Sequence, residues 1–330
     1  MPKASRAQSK EPKRDLLSLA ELSSSDLNLL LNLSESLKRG RKARLGSNAL
    51  KGKSVALVFE KPSTRTRVSF QVAISELGGF PVSLSSAELQ LGRGETVEDT
   101  ARVLSRYVHV VMARVNRQES VAELAKAASV PVINGLSDLY HPVQILADLL
   151  TLKEHKGKLK GLRVAWVGDG DNVCNSWLYG AALSGIDFAV ATPQGYEPLA
   201  SAVSEATAIA RSTGGRITLT NDPQLAAKGA DCIMTDTFVS MGEEAEKEKR
   251  ENAFLPKYQV DGRLMSLAKR DAIFEHCLPA HRGEEVTSEV MDGPQSVVFD
   301  QAENRLHTTK ALLCFLTLGK SELSALVRSR

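Results

Sequence analysis

Ser54-Val-Ala-Leu-Val-Phe59, followed by Glu60-Lys-Pro-Ser-Thr-Arg-Thr-Arg67, is the stretch on which the fold turns. An apolar run of strand length enters a loop marked by Pro62 and leaves it with helical spacing over 66–77, stopped by Gly78-Gly79. A short apolar run bounded by a turn reads as a buried strand, and the spacing that follows as a helix packed on it. The unit repeats outward. Val108-His-Val-Val-Met-Ala113 is a strand, 119–128 a helix, 130–134 a short strand and 143–155 a helix. The pattern restarts with the strand Leu162-Arg-Val-Ala-Trp-Val167, the helix 175–183, and strands at 188–191 and 217–219 on either side of a helix at 198–212. Asp231-Cys-Ile-Met-Thr235 and Ala272-Ile-Phe-Glu-His276 extend it. Alternating strands and helices predict an α/β fold of two doubly wound domains, each a parallel sheet flanked by helices, hinged near Lys156-Gly-Lys-Leu-Lys-Gly161.

A chain of 330 residues exceeds one small core and suits two domains. A net charge of +3 argues against a polyanion-coating protein, and 5% aromatic residues leave few base-stacking surfaces, so no nucleic acid partner is expected. Cys174, Cys232, Cys277 and Cys314 are scattered without metal-ligand spacing, so neither a disulfide framework nor a metal site is expected, and a reducing compartment is the default. No run is long enough for a membrane helix. Residues 1–14 carry Lys3, Arg6, Lys10, Lys13 and Arg14 against Glu11 alone. A flexible basic tail on a cytoplasmic protein is the simpler reading, and a remnant of a mitochondrial transit segment, hence the matrix, is the alternative.

In doubly wound sheets ligands bind beyond the carboxyl ends of strands. Most of the unusual polar residues of this chain fall there: 60–67, Arg114, 134–144, 168–172, 236–242 and 277–281. Ser63 or Thr64 can cap the first of these helices, whose exposed amides make an anion site, and Arg65 and Arg67 add guanidinium forks suited to phosphate. Arg114 after one strand and His141 at a loop–helix junction are donors that can face a carbonyl oxygen on which negative charge develops. Val167-Gly-Asp-Gly-Asp-Asn-Val173 begins like a dinucleotide fingerprint, but Val173 stands where the third glycine belongs, so no nicotinamide cofactor is expected.

Ser63-Thr-Arg-Thr-Arg67 resembles the carbamoyl-phosphate signature of the aspartate and ornithine carbamoyltransferases, and the resemblance runs from about Arg14 to Leu318. Further along come His141-Pro-Val-Gln144, His276-Cys-Leu-Pro279, and Ala302-Glu-Asn-Arg-Leu-His-Thr308 opening the last helix. The resemblance implies that Ser63, Thr64, Arg65 and Thr66 hold the phosphate, with Arg114, His141, Gln144, Cys277, Leu278 and Arg305 around the carbamoyl group. It implies a division into a carbamoyl-phosphate unit, 1–150 plus 308–330, and an acceptor unit, 151–307, with the C-terminal helix returning to the first. It further implies that Gln90 reaches a neighbouring subunit's site, hence a homo-oligomer, a trimer or a multiple of trimers.

The acceptor is set by Asp236-Thr-Phe-Val-Ser-Met-Gly242, which resembles the ornithine pattern of the family, with Phe238 where tryptophan is often found. On this resemblance Asn172, Asp236, Ser240 and Met241 bind L-ornithine, and the product is L-citrulline, an intermediate of arginine biosynthesis and the urea cycle. Asp236 and Cys277 are the groups expected beside the attacking amine. Cys277 is not expected to act as a nucleophile, since carbamoyl phosphate is already activated. Gln90-Leu-Gly-Arg93 lacks the lysine that aspartate-specific relatives bring to the site. The charged run 243–251 reads as a solvated helix and a candidate flap, with Gly242 in its hinge. Putrescine or N-acetylornithine as acceptor, or a non-catalytic ligand sensor, are the alternatives.

Overall fold

The computed structural model of the chain describes residues 13–85, 94–240 and 244–328. Gln90, Arg93, Met241 and Gly242, and the basic segment up to residue 12, lie outside the described residues.

The first half opens with α1 (Ser24–Arg39), whose N-terminus is closed by a reciprocal pair: Ser23 caps the Asp26 amide and Asp26 returns to the Ser23 amide. Then come β1 (Ser54–Phe59), α2 (Thr64–Glu76), β2 (Phe80–Ser85), α3 (Val97–Tyr107), β3 (Val110–Arg114), α4 (Gln118–Ala127), β4 (Val132–Leu136) and α5 (Pro142–Lys156). The strands make one parallel sheet in the order β2-β1-β3-β4. Gly157, at φ +75°, ends α5 in the left-handed conformation glycine adopts without strain.

The second half contains β5 (Arg163–Val167), α6 (Asn172–Ser184), β6 (Asp187–Ala191), α7 (Ala200–Thr213), β7 (Arg216–Thr220), α8 (Pro223–Ala227) and β8 (Cys232–Thr235). A 3-10 turn at Glu244–Glu246 leads to α9 (Lys247–Phe254), α10 (Gly262–Ser266), β9 (Ile273–His276) and α11 (Ser288–Met291). Its sheet is also parallel, in the order β7-β6-β5-β8-β9. The chain returns as α12 (Val298–Thr317), packed on α5, α1 and α2 of the first half, and closes with α13 (Lys320–Arg328) against α1.

Both sheets are therefore doubly wound, as the alternation predicts. Three readings need correction. β2 is an additional strand at a sheet edge, where Pro81 costs no central ladder bond. The helix carrying Arg305 begins at Val298 rather than near 302, and α13 follows it, so it is not the last. The charged run forms a 3-10 turn and then α9, which extends to Phe254. α5 is buried on every side from Pro142 to Leu152 and, with α12, fills the space between the halves. None of the helices among the described residues is long and apolar enough to cross a membrane.

Candidate active site

In each sheet the chain reverses its winding beside the first strand, between β1 and β3 and between β5 and β8. The clefts at such reversals open where loops diverge, beyond the carboxyl ends of the strands. Glu60 donates its backbone N–H to the Arg114 carbonyl at 2.9 Å, which fixes how the first pair of loops separates.

α2 starts at that point. Ser63 caps it, its hydroxyl accepting from the Thr66 amide at 3.3 Å. Arg65 and Arg67 part company one turn in. Arg65 donates to the Leu278 carbonyl of the second half, whereas Arg67 donates to Ser83 at 2.7 Å and lies 4.3 Å over the Phe59 ring. Residue type alone suits both arginines to phosphate, whereas the family resemblance assigns only Arg65; the structure separates the two.

Three guanidinium groups gather around His141. Arg114 is brought by the end of β3 and Arg305 by α12, and both are buried. Burial, and then the positive charge of Arg65, pulls Arg114 down to about 10. Arg305 also falls to about 10, by burial above all, although buried Asp148 counteracts it. Burial pushes His141 well below its ordinary value, and Arg305, Arg114 and Arg65 push in the same direction. His141 is thus a neutral imidazole in a cationic pocket, its backbone N–H held by the Ser176 hydroxyl at 2.8 Å. His141 Nδ1 and Arg114 Nε are buried and meet no hydrogen-bond partner among the described residues. Three guanidinium groups against the single carboxylate of Asp148 leave an excess of positive charge that suits an anionic ligand.

Asp148, one helical turn beyond Gln144, organises the floor. It accepts from Gln144 Nε2 at 2.8 Å, Gln301 Nε2 at 2.7 Å and Trp177 Nε1 at 2.9 Å. Because the Gln144 amide nitrogen faces Asp148, its oxygen faces Arg305, which donates to it; Arg305 also donates to Thr66 at 3.2 Å. Asp148 was absent from the sequence reading, although a carboxylate at i+4 from Gln144 inside Ile145-Leu-Ala-Asp-Leu149 is a signal of a polar contact within a core helix. Burial raises its carboxyl to about 6, against the pull of its hydrogen-bond donors.

The second sheet supplies the far wall. Cys277 Sγ donates to Asp236 Oδ1 at 3.0 Å, and the Thr237 amide donates to the same oxygen at 2.8 Å. Burial raises the Asp236 carboxyl above its usual range. Burial, reinforced by Asp236, pushes the Cys277 thiol well up, so it keeps its proton and is a poor nucleophile. Asn172, first residue of α6, donates its side-chain amide to the Ser137 carbonyl at 2.6 Å and so ties this wall to the loop leading into α5. The glycines of Gly168-Asp-Gly170 serve packing: a Cβ on Gly170 would stand 2.3 Å from the Pro198 nitrogen. Ser240 is half-buried at the rim. Among the described residues two groups could hold a cation, Asp236 with His276 and Cys277, and His281 with Glu284 and Glu285, each with ligand atoms within 4.8 Å. In the first, the thiol proton is committed to Asp236.

Ser63, Arg65, Thr66, Arg114, His141, Gln144, Cys277, Leu278 and Arg305 thus belong to one connected cluster, with Thr64 opening α2 beside it and Asp236 adjoining through Cys277.

Comparison with known proteins matches two successive parts of the chain to two domain models of one family. Residues 14–154 match the family model described as the carbamoyl-P binding domain of aspartate/ornithine carbamoyltransferase, and residues 160–316 match its Asp/Orn binding domain. Proteins named ornithine carbamoyltransferase from Methanosarcina acetivorans and Bacillus subtilis are each 54% identical to the chain. The first alignment covers 91% of this chain and 98% of the relative, the second 91% and 92%. The solved ornithine carbamoyltransferase of Pyrococcus furiosus superposes with a TM-score of 0.89 at 50% identity, over 92% of this chain and 97% of that one.

Proposed function

The chain belongs to the aspartate/ornithine carbamoyltransferase family, and from that premise we infer how its site moves a carbamoyl group from carbamoyl phosphate to the δ-amine of L-ornithine, giving L-citrulline and phosphate. The observation that carries the reading is the junction of two unlike walls. A cluster of three arginines around a neutral histidine adjoins a raised carboxylate that is hydrogen bonded to a protonated thiol.

We propose that the Ser63 hydroxyl, the amides and hydroxyls of Thr64 and Thr66, and the Arg65 fork hold the phosphate at the start of α2. Arg114 and the neutral His141 donate to the carbonyl oxygen, where charge develops as the amine attacks. The Gln144 oxygen and the Leu278 carbonyl accept from the carbamoyl nitrogen, with Arg305 alongside. Asp236, raised by burial, is the better base for it and receives the amine's proton beside Cys277. Asn172, Ser240 and Met241 hold the α-carbon end of ornithine. As the new N–C bond forms, the bond from carbon to the phosphate oxygen breaks and phosphate leaves with the electron pair. Gln90 completes the site from a neighbouring subunit of a trimer or multiple of trimers. The apolar side chains Val68, Phe80, Val103 and Tyr107, exposed in the first half, are consistent with association there.

The deciding experiment is an assay of citrulline formation with ornithine, putrescine and N-acetylornithine as acceptors, with molar mass measured on the same sample. Product from ornithine alone is expected; turnover confined to putrescine or N-acetylornithine, or ligand binding without turnover, would refute the assignment. The attacking amine must be neutral, and with a pKa near that of lysine, about 10.4, roughly one molecule in a thousand or fewer qualifies at neutral pH. Turnover at subsaturating ornithine should therefore climb with pH across the neutral range, and a flat profile would contradict direct amine attack.

A further inference from the structure

We propose that Glu285 and His276 form a positioning pair that holds the Leu278 carbonyl, and the Arg65 fork bonded to it, in register with the carbamoyl group, an inference that rests on the transfer reading above. Neither residue was singled out as functional by the sequence motifs.

The Leu278 backbone N–H donates to His276 Nδ1 at 2.9 Å. A backbone amide only donates, so Nδ1 must be the bare nitrogen and the ring proton must sit on Nε2. Nε2 lies 3.2 Å from Glu285 Oε1 and donates to it. The same carboxylate oxygen accepts the His281 backbone N–H at 2.5 Å. One carboxylate thus pins the segment 276–281 at both ends, through the imidazole at one and directly at the other. His276 and Glu285 are both buried. Burial alone would raise the Glu285 carboxyl, yet the donors from His276 and His281 outweigh it and hold it below the usual range, so the pair is a charge-assisted bond inside the protein.

The restraint is needed because of what lies between those ends. Leu278 has φ +61°, a left-handed conformation that a leucine keeps only where its surroundings enforce it. That conformation coexists with a Leu278 carbonyl bonded to Arg65 across the cleft. A second thread leads the same way: the His276 backbone N–H donates to Gln301 Oε1 at 2.9 Å, and Gln301 reaches Asp148, which holds Gln144. The pair sets the second-sheet side of the carbamoyl pocket relative to α5 and α12. It acts through Leu278 rather than on the substrate.

The test combines two substitutions with a measurement on the unaltered protein. His276→Phe keeps the ring but removes the acceptor for the Leu278 amide. It should lower kcat roughly tenfold to a hundredfold, as a small misplacement of a reacting group does, with the ornithine KM within about twofold. His276→Asn places an oxygen where Nδ1 stood but gives Glu285 no donor, so it should recover only part of that loss. Nitrogen NMR of the resting wild type should show His276 as the neutral Nε2–H tautomer, which decides the geometry even if the Phe variant does not fold. An Nδ1–H tautomer, a Phe variant with wild-type kcat, or an Asn variant no better than Phe would overturn the pairing. A wild type that forms no citrulline would instead overturn the transfer reading, so the two failures are separable.

Discussion

Arg65 and Arg67 stand two positions apart on α2 and meet different partners, which gives the site its sharpest residue-level test. Arg65 faces the cleft and Leu278, whereas Arg67 is occupied by Ser83 and the Phe59 ring. Arg65→Ala should remove more than about 3 kcal/mol of transition-state binding, a hundredfold or more in kcat/KM, and Arg67→Ala should cost much less. Equal losses in steady-state kinetics would mean that the two forks act alike. His141 makes a second prediction. Its folded-state value lies well below the roughly 6.5 of an unfolded histidine, because burial and three arginines oppose its charge. Below about pH 6.5 the unfolded chain therefore takes up a proton that the folded one refuses, and stability falls with pH by up to about 1.4 kcal/mol per unit from this group. A His141→Asn protein lacks that contribution, so denaturant titrations should show wild type losing ground to it between pH 6.5 and 5. A constant difference would mean that His141 titrates normally.

At the scale of elements, glycine decides how closely the turn after β5 approaches its neighbours. The Gly170 amide bonds to the Tyr196 carbonyl at 2.9 Å, and an added Cβ would stand 2.3 Å from the Pro198 nitrogen. Backbone cannot step aside as a side-chain tip can, so Gly170→Ala should destabilise by about 1–3 kcal/mol and displace Asn172, which opens the next helix. Thermal melting together with the ornithine KM would check this; an unchanged melting temperature would contradict it. The same turn shows why some elements were legible in the sequence and others were not. β1, β3 and β5 are buried in mid-sheet and read as plain apolar runs. β2 escaped notice because it is an edge strand: Phe80-Pro-Val-Ser-Leu-Ser85 is only partly buried, and its serines and proline imitate a loop. The phosphate turn was legible because Ser63 through Thr66 are contiguous. The Glu285–His276 clamp was not, since its members lie nine residues apart and meet only after a non-repetitive loop folds back.

At the scale of the whole molecule, the two sheets are joined by buried polar contacts as well as apolar packing. Asp148 receives Gln144 from its own helix, Trp177 from α6 and Gln301 from α12, so one carboxylate binds both halves and the returning helix. If Gln90 serves a neighbour's site, as proposed, defects can be exchanged between subunits. Mixing inactive Arg65→Ala and Gln90→Ala proteins, then dissociating and reassembling them, should restore activity at roughly a quarter of the sites by random pairing. No recovery in the mixed sample would place Gln90 in its own subunit's site or outside any site.

The return of α12 to the first half has a consequence for biosynthesis. Leu312 and Leu313 complete a core begun by Leu30 and Leu33, and Arg305 arrives on the same helix. While the ribosome still encloses the C-terminal segment, the N-terminal half has its sheet but lacks this covering, with apolar helix faces exposed to water or to chaperones. A nascent chain stalled before α12 emerges should be readily cut by protease in α1 and α5, and release of the finished polypeptide should bring resistance and anion binding together.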